Sequence, residues 1–344
     1  MIRSYSARVD VIRNGATLTT LHHISDPLID CNAEAAIKSS MSGIFRNDSA
    51  VNWLTDELVP VQIIDGVEHP VGVFPVGTVL HSHDENGVET VTVEAYDRCM
   101  ILNQTKAERI LHFPAGKNYL AAIEELLTEA GIALYMATPT TAVLQTDRED
   151  WPIGTPYLEI INTLLSEINY TSIWFDSRGF ARLQPVKTPQ ASNIDHRYGE
   201  KEKINLLQRP CTVETDMFDA PNVFIAICSN PDLEAPMVAT AVNDNPMSSL
   251  STFRRGRRIV KTYKVDNIPS QQELQAYADT LCINGMVTSE VATISTANLP
   301  GHGVFDTIAI MHPDLEGIYQ EISWSLVLAP GQTMIHKLRR SIVV

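Results

Sequence analysis

The chain has 344 residues, 44% of them hydrophobic and 19% charged, and a formal net charge of −15. That length suits two or three domains, the composition carries no bias toward disorder, and no stretch reaches the roughly 18 uninterrupted apolar residues that span a bilayer. The acidity is spread as balances of −7, −4 and −4 over residues 1–110, 111–205 and 206–344, which excludes a basic nucleic-acid reader and fits either simple solubility or a surface that repels polyanions.

Residues 1–110 read as all-β. Residues 4–13 alternate, Asn14-Gly15 is a hairpin turn, and residues 16–23 return. Alternation in place of an apolar signal core at the N-terminus leads us to expect a chain that begins inside its first domain and stays in the cytoplasm of its producer. Residues 59–64, an Asp65-Gly66 turn and residues 69–74 follow. Residues 77–83 then match residues 89–96 across a turn from Asp84 to Gly87. Six short strands with frequent turns predict a barrel or sandwich.

Residues 111–205 change character. From Lys117 to Gly131, apolar Leu120, Ile123, Leu126, Leu127 and Ala130 fall on one helical face, closed by Gly131. A second helix is predicted over 156–169, with Pro156 at its start. Short strands over 133–136, 142–145, 172–176 and 180–184 complete a small α/β module. Beyond it, residues 210–215, 222–229 and 257–264 read as strands, and 230–253 as a long polar loop. An amphipathic helix over 270–286, with Ser270 as N-cap, leads into a meander of strands at 307–311, 317–328 and 333–340. Such a helix can wrap or plug a small barrel. The predicted class is α+β, mainly β: β-barrel domains at 1–110 and 206–344, joined by an α/β domain at 111–205, with the 270–286 helix packed on the second barrel.

The chemistry-bearing residues are sparse. Cys31, Cys99, Cys211, Cys228 and Cys282 are odd in number, widely spaced and never in CxxC, so they read as reduced, mostly buried thiols. His81 and His83 share a strand face and could begin a zinc site, but no third ligand is close and Asp84 reads as a turn residue, which favours a partly exposed strand pair. His22 and His23 point to opposite faces. There is no nucleophile elbow, P-loop or HExxH, and Gly301-His302-Gly303 reads as a turn. Asp56-Glu57, Glu124-Glu125 and Glu149-Asp150 fit solvated element ends. Arg254, Arg255, Arg257 and Arg258 form a basic cluster with only Phe253 and Tyr263 near it, which suits a salt bridge between subunits or a loop anchored to an acidic neighbour better than nucleic acid. Trp53, Trp151, Trp174 and Trp324 sit in or beside apolar runs, as core residues do. We therefore assign no catalytic, cofactor-binding or metal residue, and read the protein as a non-enzyme.

Several segments carry a resemblance. Residues 58–74, ending in Pro70-Val71-Gly72-Val73-Phe74, look like a strand pair of phage tail hub proteins. Residues 91–102, with Tyr96-Asp97 and the apolar step Met100-Ile101-Leu102, look like the strand that follows it, and residues 116–127 like the helix opening the next domain. The C-terminal helix, Leu299-Pro300-Gly301, residues 305–308, Gly317-Ile318-Tyr319 and residues 334–340 are similar to the closing barrel of that family. The chain thus resembles, over nearly its full length, the baseplate hub of phage tails and related contractile particles. The resemblance implies a homotrimer in which each subunit gives two tail-tube-like barrels to a pseudo-sixfold ring. Its implied partners are the tail tube or distal tail protein, the central spike or tail tip protein, and the tape measure protein. DNA would pass through without specific binding, there would be no membrane insertion, and the location would be the virion, assembled in the host cytoplasm. The sequence ends at the barrel without a peptidase or lysozyme extension, so a hub alone is expected. An acidic lumen suits that role, because phosphate contacts dominate DNA affinity. A tail-associated cell-wall hydrolase and a receptor- or carbohydrate-binding tail protein are the alternatives.

Overall fold

A computed structural model describes residues 4–83, 87–199, 207–215, 220–228, 236–246, 248–265, 268, 270–287 and 290–340. The chain opens on β1 (Tyr5–Arg13) and β2 (Ala16–Leu21), joined through Asn14-Gly15, whose φ values of 53° and 78° are the left-handed pair of a tight hairpin turn. β3 (Leu28–Asn32) and β4 (Ser39–Arg46) follow, in a segment where the sequence pattern predicts nothing. In β4 the inward positions are Met41, Gly43 and Phe45, and Gly43 leaves the space that the Phe45 ring occupies. β5 (Glu57–Ile64), β6 (Val67–Pro70), β7 (Phe74–His83) and β8 (Glu89–Tyr96) complete this region. β7 pairs with β8 as far as His83 and Glu89; Asp84, Glu85 and Asn86 of the predicted turn lie outside the described residues.

α1 (Cys99–Gln104), α2 (Tyr119–Glu129), β9 (Tyr135–Ala137), α3 (Tyr157–Glu167), β10 (Trp174–Phe175) and β11 (Ala181–Leu183) form the α/β unit. Asn118 caps α2 by accepting the Leu120 and Ala121 N–H groups, and Gly131, at φ 78°, ends it. Leu120, Ile123, Leu126 and Leu127 meet Ile160, Ile161, Leu164 and Leu165 in one apolar core, which Cys99 and Leu102 of α1 also enter. The predicted strand at 142–145 is a single bridge from Val143 to Asn118.

β12 (His196–Gly199), β13 (Leu207–Thr215), β14 (Val223–Cys228), β15 (Met237–Val242), α4 (Thr252–Arg255), β16 (Val260–Val265) and α5 (Gln271–Val287) come next. β17 (Glu290–Ala297), β18 (Thr307–His312), β19 (Leu315–Val327) and β20 (Thr333–Arg340) close the described chain. The predicted 230–253 loop thus contains β15 and the first two residues of α4; its residues 230–235 and 247 lie outside the described residues. β15 alternates through Met237, Ala239 and Ala241, and its two buried positions are alanines, too small to stand out as a strand. No described helix is long and apolar enough to cross a membrane.

The molecule is mainly β, with two departures from the predicted barrels. First, strands from both ends of the chain form one sheet, ordered β13-β17-β20-β19-β3-β4-β8-β7-β5-β1-β2, with β6 on β5, β18 on β19 and β12 on β18. No ring of ladders closes it among the described residues. Only the segment after β2 reaches across toward β4, where Arg46 N–H bonds His22 O at 2.9 Å and Ile24 N–H bonds Ile44 O at 2.7 Å. The physical reason for the continuity is β19, whose 13 residues are enough to pair with strands of both regions. Second, α5 packs on a separate three-stranded sheet, β15-β14-β16, through Leu274, Ala278 and Cys282, and not on the C-terminal strands. Ser270 accepts the Glu273 N–H and bonds its carboxylate, which caps α5 as predicted.

Candidate functional site

β19 carries β20 along one edge. On its other edge β18 pairs with Leu315 to Gln320, and β3 pairs with Ser323 to Val327. The exchange of partners falls at a bulge between Glu321 and Ser323. At that seam the Glu321 side chain is only 1% exposed. Its two oxygens meet two imidazoles: His302 Nδ1 lies 2.8 Å from Oε2, and His336 Nδ1 is hydrogen-bonded to Oε1.

A buried polar cluster extends from this carboxylate. The far nitrogen of each imidazole faces a hydroxyl, His302 Nε2 at 2.7 Å from Tyr198 Oη and His336 Nε2 at 2.8 Å from Thr296 Oγ1. His196 stacks on His302 with ring centroids 3.8 Å apart and 16° between planes. Its Nε2 lies 3.2 Å from Asp306 Oδ2, which also accepts the Gly303 N–H. His196 and Tyr198 share one face of β12, Thr296 comes from β17, His302 and Asp306 from the β17–β18 connection, Glu321 from β19 and His336 from β20. Pairing of strands far apart in sequence brings them together, so no local pattern announces them, and His302 reads from sequence only as a turn residue.

The electrostatics follow from burial set against these partners. Desolvation pushes the Glu321 carboxyl up, but His302 and His336 outweigh it and hold the group down at about 2. Burial lowers His336 below the usual imidazole range despite the pull of Glu321. Burial also opposes charge on His196, but the hydrogen bond and charge of Asp306 prevail and raise it. The crevice that touches His302 is about 20 Å³, room for about one water. The cluster can share protons or hold a cation; a substrate does not fit beside it.

The sequence-derived candidates lie elsewhere. His81 and His83 are exposed on β7, and His81 Nδ1 is 2.9 Å from Glu89 Oε1. Arg254 and Arg255 bond carbonyls of their own chain, those of Pro246 and Ala220. The five cysteines are free, with Cys211 partly exposed and the others buried. A cleft of about 630 Å³ separates the α/β unit from α5, with Tyr119, Arg148, Asp150, Trp151 and Glu167 on one side and Tyr277 on the other. Of the carboxylates that line it, Asp150 and Glu167 are ion-paired with buried Arg148, and Glu273 accepts the Ser270 hydroxyl. On the surface, Leu54, Phe253 and Leu80 are 93%, 72% and 61% exposed, and the ordered path of the large sheet ends on β2 and β13.

No protein-family profile and no curated protein sequence matches the chain. Solved structures do. The chain superposes on a tail protein from Neisseria meningitidis with a TM-score of 0.69 and 14% identity, over 97% of each chain. A 43 kDa tail protein of prophage MuSo2 from Shewanella oneidensis gives 0.68 and 10%, over 97% of this chain and 98% of that one. A prophage tail protein from Listeria monocytogenes gives 0.59 and 11%, over 96% and 94%. The chain has the fold of these phage tail proteins. At such identities the likeness is one of architecture, and it spans the N-terminal strands, the α/β unit and the C-terminal strands together.

Proposed function

We propose that the protein is a structural component of a phage tail, and within it the hub of the baseplate or tail tip. In this reading three copies form a pseudo-sixfold ring that joins the tail tube or distal tail protein to the central spike. The ring encloses the channel for DNA and the tape measure protein. The observation that carries the reading is the end-to-end likeness to phage tail proteins, 97% of both chains in the Neisseria case, so the whole chain and not one module is accounted for. The net charge of −15 supports it, since a channel wall that binds phosphate would stall its cargo. The outer edges of β2 and β13 and the exposed apolar side chains give neighbours something to cover.

Light scattering after size exclusion, with negative-stain imaging of the peak, tests this. A ring of three times the 38.1 kDa chain mass is the expected result. A monomer that also fails to associate with tube or spike proteins overturns it. Release of peptidoglycan fragments or retention on glycans by the same preparation would favour the hydrolase or receptor readings.

A further inference from the structure

We propose that His302, His336 and Glu321 hold a divalent transition metal, zinc by their donor set, at the seam where β19 exchanges β18 for β3. One ligand atom from each of the three lies within 4.8 Å of the other two. All three side chains are buried, at 8%, 0% and 1% exposed. Two imidazole nitrogens and a carboxylate oxygen form a donor set that suits zinc.

The hydrogen bonds around the trio favour a cation over a purely protonic network. Thr296 has a single hydroxyl proton, yet Oγ1 faces both the Ala297 carbonyl, at 3.0 Å, and His336 Nε2, at 2.8 Å. With that proton on Ala297 O, His336 Nε2–H must be the donor. A neutral His336 then turns the Nδ1 lone pair toward the Glu321 carboxylate, an arrangement that repels unless a cation lies between them. The alternatives are an imidazolium with no solvent exposure, packed beside the His302 ring, or a Thr296 hydroxyl turned onto His336 Nε2, which gives up the Ala297 bond and lets Nδ1–H donate to Glu321. A metal removes the conflict: Nδ1 of both rings and Glu321 ligate, and each Nε2–H donates to a hydroxyl, Tyr198 or Thr296. Ligating histidines are characteristically held in this way by an outer oxygen.

The neighbouring trio His196, His302 and Asp306 also has its ligand atoms within 4.8 Å, but two of its rings are stacked at 16°. Lone pairs in near-parallel planes run side by side and do not converge. The His302 and His336 rings meet at 52° with centroids 4.9 Å apart, which permits convergence. The metal would tie the β17–β18 connection, β19 and β20 together beneath the bulge, and its binding energy would add to folding. The inference stands independently of the trimeric reading.

The test is elemental analysis of the full-length protein, followed by chelator stripping and titration with Co²⁺ watched by d–d absorption. About one zinc per chain, and an intense cobalt spectrum of low coordination number, are expected. Stripping should lower Tm and zinc should restore it. His336→Gln and Glu321→Gln should abolish stoichiometric binding, and His81→Gln should leave it unchanged. Tyr198→Phe and Thr296→Val, which keep the ligands, should weaken cobalt binding about 10–100-fold. Wild-type protein that carries no zinc and develops no cobalt spectrum overturns the proposal, whatever the folding of the variants. So does metal retained at full stoichiometry in folded Glu321→Gln.

Discussion

Asp97 and Glu321 are both buried carboxylates, one in the N-terminal strand region and one in the C-terminal, and their environments push them in opposite directions. Asp97 follows β8 and is 4% exposed. It accepts the Ser39 N–H at 2.7 Å and the Cys99 N–H at 2.8 Å. Burial nevertheless raises it to about 6. Glu321 has imidazoles where Asp97 has amides, and it is held down at about 2. At Asp97 the hydrogen bonds from neutral groups do not offset desolvation, whereas at Glu321 the two ionisable rings do. The adjacent ammonium does not rescue Asp97, because Lys38 Nζ is directed to the Ala33 and Ala35 carbonyls and is itself lowered by burial.

Glu321→Ala should cost about 3–5 kcal/mol in denaturant unfolding at neutral pH, since it strands buried polar partners. Asp97→Ala removes an acceptor from two backbone N–H groups and should cost less, about 1–3 kcal/mol. An inverted order would break the contrast. Asp97 also sharpens it through pH. Its folded-state value lies above its unfolded one, so its contribution is fully present below about 3.8 and is lost as pH rises through about 6. The difference in stability between wild type and Asp97→Asn should therefore move in favour of the variant from pH 4 to 7, and a flat difference would show that Asp97 is not desolvated. Gly285→Ala probes the α5 unit, away from both acids. A Cβ there would sit 2.1 Å from the Phe224 ring, so a loss of about 1–3 kcal/mol is expected, with no pH dependence. The smallest effect is Asn14→Ala, which places a less tolerant residue at φ 53° and should cost about 1 kcal/mol in the same unfolding assay.

What could be read from sequence was what short-range physics decides. Asn14-Gly15 and Asp65-Gly66 announce their hairpins because few other residue pairs accept left-handed φ at both positions. The 3.6-residue spacing of Leu120, Ile123 and Leu127, with Gly131 beyond, marks α2. β4 and β15 stayed hidden because Gly43, Ala239 and Ala241 are too small to show the alternation they obey. The single sheet stayed hidden for a different reason. Nothing local in residues 315–327 says that the first half of β19 pairs with β18 and the second half with β3. The histidine–carboxylate cluster depends on the same long-range pairing, and the sequence held only isolated histidines and acids at 196, 302, 306, 321 and 336.

That pairing has a consequence for the newborn chain. Cys31 of β3 finds its ladder partner, Trp324, about 290 residues further on. At roughly 5–20 residues per second on the ribosome, the partner emerges tens of seconds after β3 does. Throughout that interval the β3 margin of the early sheet is an open row of amides and carbonyls, able to recruit any extended segment that passes. A nascent or prematurely terminated chain that lacks β19 should therefore depend on chaperone shelter, and the finished one should not.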